Sequence, residues 1–251
     1  ILTSVDQVIE NIKSQISKLQ NLKKAIINEL LTKGIDHVEF KDSELGRIPK
    51  TWEVKSIGEL FEVRGRIGWK GYTINDLRND GPLVLGGTQV SKKHKIDLSK
   101  PVYVSEEKYL ESPEIIIENK DIILVKTGNT IGKLALIGDD LGRATINPNT
   151  VILRSKSKTQ DFIYQILTTK KYQDKFWEFV DVGAQPSLNQ QNIKSIKVPL
   201  PPKFERDKLN RVLFAMDRLI EEKDKKVNQI QSLKKSLMQD LLTGIVRVKV
   251  N

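Results

Sequence analysis

Residues 5–32 (VDQVIENIKSQISKLQNLKKAIINELLT) and residues 216–243 (MDRLIEEKDKKVNQIQSLKKSLMQDLLT) are two copies of one helix, aligned without a gap at an offset of 211 positions. Ten of the twenty-eight pairs are identical, and most of the others keep their apolar or polar character. In the first copy Leu2, Val5, Ile9, Ile12, Ile16, Leu19, Lys23, Ile26 and Leu30 alternate steps of three and four. In the second Leu209, Leu213, Met216, Ile220, Lys223, Val227, Ile230, Lys234, Leu237 and Leu241 do the same. This is the a/d seam of a coiled coil. Lys23 and Lys234 interrupt both seams at the same place, which can fix register at some cost in stability. The competing expectation is two amphipathic helices lying separately on the rest of the chain.

Glycine and proline divide the sequence. All nine prolines lie between Pro49 and Pro202. Outside a central zone, only Gly34 and Gly244 occur, each closing a helical copy where φ must turn positive. The expected layout is a spacer helix over 1–34, a loop-rich domain over 35–202, and a second spacer helix with a tail over 203–251. Within the centre, strands are expected at Leu83–Leu85, Val102–Val104, Asp121–Val125, Lys133–Ile137, Val151–Arg154 and Ile193–Val198. Trp52–Val63 reads as a short helix followed by a strand. Asp161–Val180 has helical spacing, with Phe162, Ile166, Phe176 and Phe179 towards a core. Short, turn-separated strands without regular βα alternation give an α+β class, not a doubly wound sheet.

Forty-two Lys and Arg against 32 Asp and Glu leave a net charge of +10 and a pI near 9.5. That balance favours a polyanionic partner, through release of counterions from phosphates. The chain has no cysteine and only two histidines, His37 and His94, which excludes disulfides and thiolate metal sites and leaves a zinc centre hard to build. No apolar run approaches the roughly 18 residues that cross a bilayer. The first residues also lack the n-region and cleavage site of a signal peptide. The expectation is a cytoplasmic protein without a structural metal.

Motifs for catalysis are missing. There is no GxxxxGK[ST] loop, and Gly86-Gly87-Thr88 and Gly128-Asn129-Thr130-Ile131-Gly132 read as tight turns because they lack a strand–GxGxxG–helix context. Pro201-Pro202 follows Leu200, not the Asn or Asp with which amino-methyltransferases grip an exocyclic amine. Glu118-Asn119-Lys120 and Glu106-Glu107-Lys108 match a nuclease-like E-x-K, for which Asp97 or Asp121 would have to complete a metal site. A three-residue match is frequent in so charged a chain, so the expectation is no catalysis and no bound cofactor.

Binding chemistry is easier to find. The segment from Arg64 to Tyr72 interleaves Arg64, Arg66, Trp69, Lys70 and Tyr72 with glycines, which let backbone approach a phosphate. Gln89 precedes the basic run Lys92, Lys93, His94 and Lys95, and Lys126 and Asn129 flank a strand–turn. Arg143, Asn147 and Asn149 form another polar cluster, and Gln185, Ser187, Asn189, Gln190 and Gln191 a further one. Asn and Gln can bond bidentately to adenine, and Arg or Lys to guanine or phosphate. Each cluster alone is what a solvated loop also presents; together, in a basic domain, they point to DNA readout.

With these residues on the page, the chain resembles the specificity subunit of type I restriction–modification systems. Gly46-Arg47-Ile48-Pro49-Lys50-Thr51-Trp52 is similar to the start of that family's target-recognition domain. Asp121–Gly128 with Gly132 and Ala135 is similar to its central strand–turn–strand. Gly183-Ala184-Gln185-Pro186-Ser187-Leu188-Asn189 and Val198-Pro199-Leu200-Pro201-Pro202 are similar to its exit into the second helix. One departure is Glu205-Arg206, where the family usually has Glu-Gln. The resemblance implies an antiparallel coiled coil of the two helices and a non-catalytic reader of one half of a bipartite DNA site. It also implies docking of two methyltransferase subunits that bring S-adenosylmethionine, and a restriction/motor subunit using ATP and Mg. A single recognition domain, in a chain that begins at Ile1 and not Met, leaves two readings open: part of a longer subunit with a second domain in cis, or a half-subunit that forms a homodimer. Against DNA readout stand two other classes, a coiled-coil protein-interaction scaffold and a nuclease.

Overall fold

The structure is a computed structural model that describes residues 2–66, 71–139, 141–180 and 186–243. In chain order, its elements are α1 (Leu2–Lys33), β1 (Phe40–Ser43), β2 (Gly46–Pro49), β3 (Glu53–Ser56), α2 (Ile57–Leu60), β4 (Phe61–Arg64), β5 (Leu77–Leu85), β6 (Tyr103–Val104) and α3 (Glu106–Leu110). They continue with β7 (Ile122–Val125), β8 (Leu134–Leu136), β9 (Ala144–Ile146), β10 (Thr150–Ser155), α4 (Gln160–Leu167), α5 (Lys170–Glu178), α6 (Gln190–Ser195), β11 (Lys197–Leu200) and α7 (Lys203–Leu242). The chain divides into two compact units, Ile1–Leu30 with Asp207–Asn251, and Leu31–Arg206.

The first unit is a helix pair. Ile9, Ile12, Ile16 and Val227 are buried in one cluster, with Val5, Ile220 and Ile230 packed against it. Of the other expected apolar seam positions, Leu209 and Leu213 are buried, and Leu2, Leu19, Ile26, Leu30, Met216, Leu237 and Leu241 are partly buried. Lys23 bonds Asp217 and Lys234 bonds Asp6, so residues early in one helix meet residues late in the other: the pair is antiparallel. The 211-residue offset maps Asp6 onto Asp217 and Lys23 onto Lys234. The two ion pairs are therefore images of one another under a pseudo-two-fold axis through the middle of the apolar cluster. Both seam lysines lean out to a carboxylate on the opposite helix, which resolves the interruption that the heptad pattern left.

The second unit is built on a four-stranded antiparallel sheet of order β4-β10-β7-β8 and a three-stranded sheet of order β6-β5-β9. β5 is antiparallel to β6 and parallel to β9. Leu83, Leu85, Ile123, Val125, Ile146 and Ile152 belong to the apolar cluster that joins the two sheets. All four residues of β7 are buried. Ile123 and Val125 serve this cluster, while Ile122 and Leu124 point the other way by strand alternation. A strand covered on both faces reads as a continuous apolar run, which is what Ile-Ile-Leu-Val is. Each such side chain contributes roughly 1.5–3 kcal/mol before conformational entropy is subtracted.

Several local expectations change. The stretch Asp161–Val180 is two helices, α4 and α5, parted at Thr168-Thr169. Both hydroxyls donate back to carbonyls three residues earlier, Thr168 to Gln165 at 2.8 Å and Thr169 to Ile166 at 2.7 Å, which competes with helix continuation. Phe162, Ile166 and Phe176 are buried, and Phe179 is only partly so. The expected strand Ile193–Val198 is instead the end of α6 followed by β11. Pro199 sits inside β11 because that strand pairs with β3 alone and the missing N–H falls on a free edge. Trp52–Val63 is strand, single helical turn, strand, with Ser56 and Glu59 forming a capping box. The β1–β2 hairpin and β9 were not foreseen.

The two ends of this unit meet at one carboxylate. Glu205 is 1% exposed and accepts hydrogen bonds from the Ile35 amide at 2.9 Å and the Trp52 indole at 2.9 Å. The His37 Nε2 atom lies 3.0 Å from both of its oxygens. Gly34, at φ +65°, makes room: a Cβ there would collide with the His37 ring and stand 2.7 Å from Glu205 Oε1.

Candidate nucleic-acid interface

One end of the four-stranded sheet gathers polar groups from four separate stretches. After β7 the chain turns through Lys126–Thr130. The Lys126 amide donates to the Asn149 carbonyl at 2.8 Å, and the Leu188 amide donates to the Lys126 carbonyl at 2.8 Å. The Gly128 amide donates to the Pro186 carbonyl at 2.9 Å, and the Thr127 and Ser187 hydroxyls lie 3.4 Å apart. Asn147 folds its own turn, its Oδ1 accepting from the Asn149 amide at 3.0 Å. Gly86 approaches the Asn147 carboxamide so closely that any side chain there would strike it. Lys133 donates to the Gly87 carbonyl at 3.1 Å, tying the Gly86-Gly87 turn to the same end.

Within this cluster Asn129 and Asn149 are exposed, and Lys126 is half-buried. The Lys126 backbone is pinned on both sides, yet its ammonium has no acceptor among the described residues. Burial pushes its pKa below the ordinary lysine value, and no carboxylate offsets the shift. Among the described residues this cation has no negative partner.

The other expected contacts have internal partners. Gln89 is 4% exposed and braces a loop: its Oε1 accepts from the Gly86 amide at 3.1 Å and its Nε2 donates to the Lys100 carbonyl at 2.8 Å. Asn189 caps α6, accepting from the Asn192 amide at 2.7 Å. Arg64 bonds Glu62, lowering that carboxyl's pKa. Arg143 pairs with Glu106, which raises the arginine's pKa, and its guanidinium lies 4.7 Å from the centre of the Tyr109 ring. Arg66 turns inward, donating from Nε to the Ile146 carbonyl at 3.0 Å, while its Nη1 and Nη2 atoms are buried without a hydrogen-bond partner among the described residues; burial lowers its pKa, with Glu111 and Glu114 opposing. Tyr72 packs against Val84, Val104 and Tyr109. Trp69, Lys70 and Gln185 lie outside the described residues.

The basic run forms a tight turn. The Ser91 amide donates to the Lys95 carbonyl at 2.8 Å, and His94 closes the turn at φ +58°. His94 pegs it to the body: Nδ1 accepts from the Leu134 amide at 3.2 Å, and its carbonyl accepts from the Tyr164 hydroxyl at 2.6 Å. Lys92, Lys93 and Lys95 are left exposed.

The carboxylates that a nuclease would need are engaged. Asp121, 2% exposed, takes Arg154 Nε at 3.0 Å and Nη2 at 2.7 Å, and Glu118 pairs with the same guanidinium. Asp97 accepts from the Ser99 amide at 3.0 Å. Sequence reasoning missed the Thr127–Ser187 contact and Lys133; the one available signal was their position beside the glycine turn after a wholly apolar strand.

The helix pair carries a different kind of surface. Val8, Leu22, Leu219 and Leu233 are between 42% and 69% exposed. Each directly precedes a seam position, and the 211-residue offset maps Val8 onto Leu219 and Leu22 onto Leu233. A two-fold axis that exchanges antiparallel helices runs perpendicular to the plane of the pair and leaves each broad face on its own side. All four therefore share one face, Val8 with Leu233 towards one end and Leu22 with Leu219 towards the other. Among the described residues, no helix is long and apolar enough to cross a membrane.

Residues 49–232 match the family described as the type I restriction modification DNA specificity domain. Over 255 residues the chain is 29% identical to the type I restriction enzyme MjaVIII specificity subunit of Methanocaldococcus jannaschii, covering 99% of this chain and 59% of that protein. It is 30% identical over 257 residues to the putative MjaX specificity subunit of the same organism, covering 99% and 56%. The chain thus spans just over half the length of these relatives. Among solved structures, the S subunit of a type I restriction-modification system from M. genitalium superposes with a TM-score of 0.65 at 16% identity, over 96% of this chain and 58% of that one. The HsdS subunit from Thermoanaerobacter tengcongensis gives 0.59 at 13% identity, over 95% and 54%. The fold is the one those subunits have.

Proposed function

Because the chain belongs to the type I restriction-modification DNA specificity family, we propose that it is a non-catalytic, sequence-specific DNA-recognition subunit. In this reading the mixed unit reads one half of a bipartite site, and the helix pair docks the methyltransferase subunits. S-adenosylmethionine, ATP and Mg belong to partner subunits, including any restriction/motor subunit. The observation that carries the reading is the sheet end that bears Lys126, Asn129 and Asn149: a cation without an acceptor among the described residues, beside two exposed carboxamides. Carboxamides match the donor–acceptor pattern of adenine in the major groove, and lysine meets phosphate or guanine. The net charge of +10 supplies the sequence-independent attraction.

Selection from a random duplex library by the chain, assembled with its methyltransferase partner, tests this. A recovered consensus supports the reading; a pool that stays random ends it. A second reading, a protein-interaction scaffold, is favoured by the exposed Val8, Leu22, Leu219 and Leu233 face. It predicts partner binding with no DNA preference in the same selection.

A further inference from the structure

We propose that Lys126 grips one backbone phosphate of the bound duplex and thereby sets the register in which Asn129 and Asn149 meet base edges. The inference rests on the DNA-recognition reading above and assigns roles within that site. Three features together mark Lys126 as the anchor. Its backbone is fixed by bonds to two different segments, at Asn149 and at Leu188, both 2.8 Å, so its stem leaves a rigid platform. Its ammonium is half-buried with no acceptor among the described residues, whereas Arg64, Arg143 and Arg154 are each paired with a carboxylate, and Arg66, whose Nη atoms are also buried without a hydrogen-bond partner, is under the influence of Glu111 and Glu114. Among the described residues no carboxylate acts on it, so an incoming anion meets none there.

A half-desolvated ammonium on a rigid base gains most from a compact anion, because the interaction is stronger where water is partly excluded and little side-chain freedom remains to be lost. A phosphate oxygen fits that description better than a base edge. Lysine is a point charge without the planar fork that makes guanine recognition bidentate. Asn129 and Asn149 have the opposite character: neutral, exposed and able to donate and accept at once. The division is between an anchor that positions and amides that specify.

The test uses the full chain in its methyltransferase complex, the duplex recovered by selection, and a scrambled duplex of equal length. Lys126→Met keeps the stem and removes the charge; Lys126→Gln is a second neutral variant, and Lys126→Arg restores a cation. Both neutral variants are expected to weaken both duplexes alike, by about tenfold or more. The slope of log K against log salt should shrink by about 0.9, one phosphate's worth, with Lys126→Arg recovering it. A scan of single methylphosphonate substitutions should reveal one position whose neutralisation weakens the wild-type complex but not the Lys126→Met complex. Asn129→Ala and Asn149→Ala should relax base preference with the salt slope unchanged.

An unchanged slope with selectivity lost at one base pair in Lys126→Met would overturn the phosphate assignment. So would wild-type affinity in both neutral variants. If the wild-type complex selects no sequence at all, the DNA-recognition reading itself fails, an outcome distinct from either of these.

Discussion

Three donors from distant parts of the sequence converge on Glu205: the Ile35 amide, the His37 imidazole and the Trp52 indole. Removing the acceptor leaves all three donors with nothing to bond in a site that is 1% exposed. Glu205→Ala is therefore expected to cost about 3 kcal/mol or more, and Glu205→Gln, which keeps one carbonyl oxygen, about 1–3 kcal/mol. Urea unfolding of the two variants should rank them in that order; equal midpoints would show that the convergence carries no stability. Sequence reading noticed Glu205 only because Arg206 departs from the usual Glu-Gln. A carboxylate's donors are set by tertiary folding, and nothing local to Glu205 announces a tryptophan 153 residues away. The same limit hid the fate of Gln89 and Asn189, whose amides match loop and helix-end backbone groups as well as they would match a base. Lys126 shows the converse. Its pKa is lower folded than unfolded, so the unfolded chain holds the proton more tightly. The cost is present in full below the folded-state pKa and fades as pH rises through it towards the unfolded value. Lys126→Met is expected to raise Tm at neutral pH, with the gain shrinking by about pH 10; a Tm lower than wild type at neutral pH would contradict this.

Elements with a local cause were legible, and those without one were not. The heptads specify α1 and α7 because apolar spacing of three and four is itself the helix signal, and the repeat made the pairing visible. The break at Thr168-Thr169 depends on hydroxyls that turn back onto carbonyls, and a two-residue pattern does not outweigh eight residues of helical spacing before it and nine after. Strands β1, β2 and β9 have three or four residues each and too few side chains to alternate convincingly. The helix pair offers a test at this scale. Lys23→Asp should set two carboxylates against each other beside Asp217, and the added change Asp217→Lys should restore the attraction with its polarity reversed. We expect the single change to cost about 1 kcal/mol and the double to recover most of it, since such pairs sit near the surface. Val227→Lys, in the middle of the apolar cluster, should cost about 3 kcal/mol or more. Thermal unfolding of the three variants checks the ranking; a double variant as weak as the single would mean that Lys23 and Asp217 do not set the register.

At the scale of the whole molecule, two different surfaces belong to two units: the polar sheet end with Lys126, Asn129 and Asn149 in Leu31–Arg206, and the exposed apolar residues of the helix pair. The proposed function needs both, and it needs them to fail independently. The 211-residue offset sharpens this, because it makes the two ends of the apolar face equivalent: Val8 with Leu233, and Leu22 with Leu219. Equivalent ends bind equivalent partners, so under the proposed function the face is expected to seat two copies of one methyltransferase subunit. Leu22→Glu with Leu219→Glu changes one end only, placing two carboxylates where a partner would bury apolar surface. Native mass spectrometry should then find one partner copy bound where wild type holds two, and the variant should unfold at the wild-type temperature because both positions are exposed. The mirror variant, Val8→Glu with Leu233→Glu, should give the same count. Two copies retained by both variants would exclude this face as the docking surface. Loss of both copies from either variant would mean that the two ends act as one site, and that the symmetry of the helices is not the symmetry of the assembly.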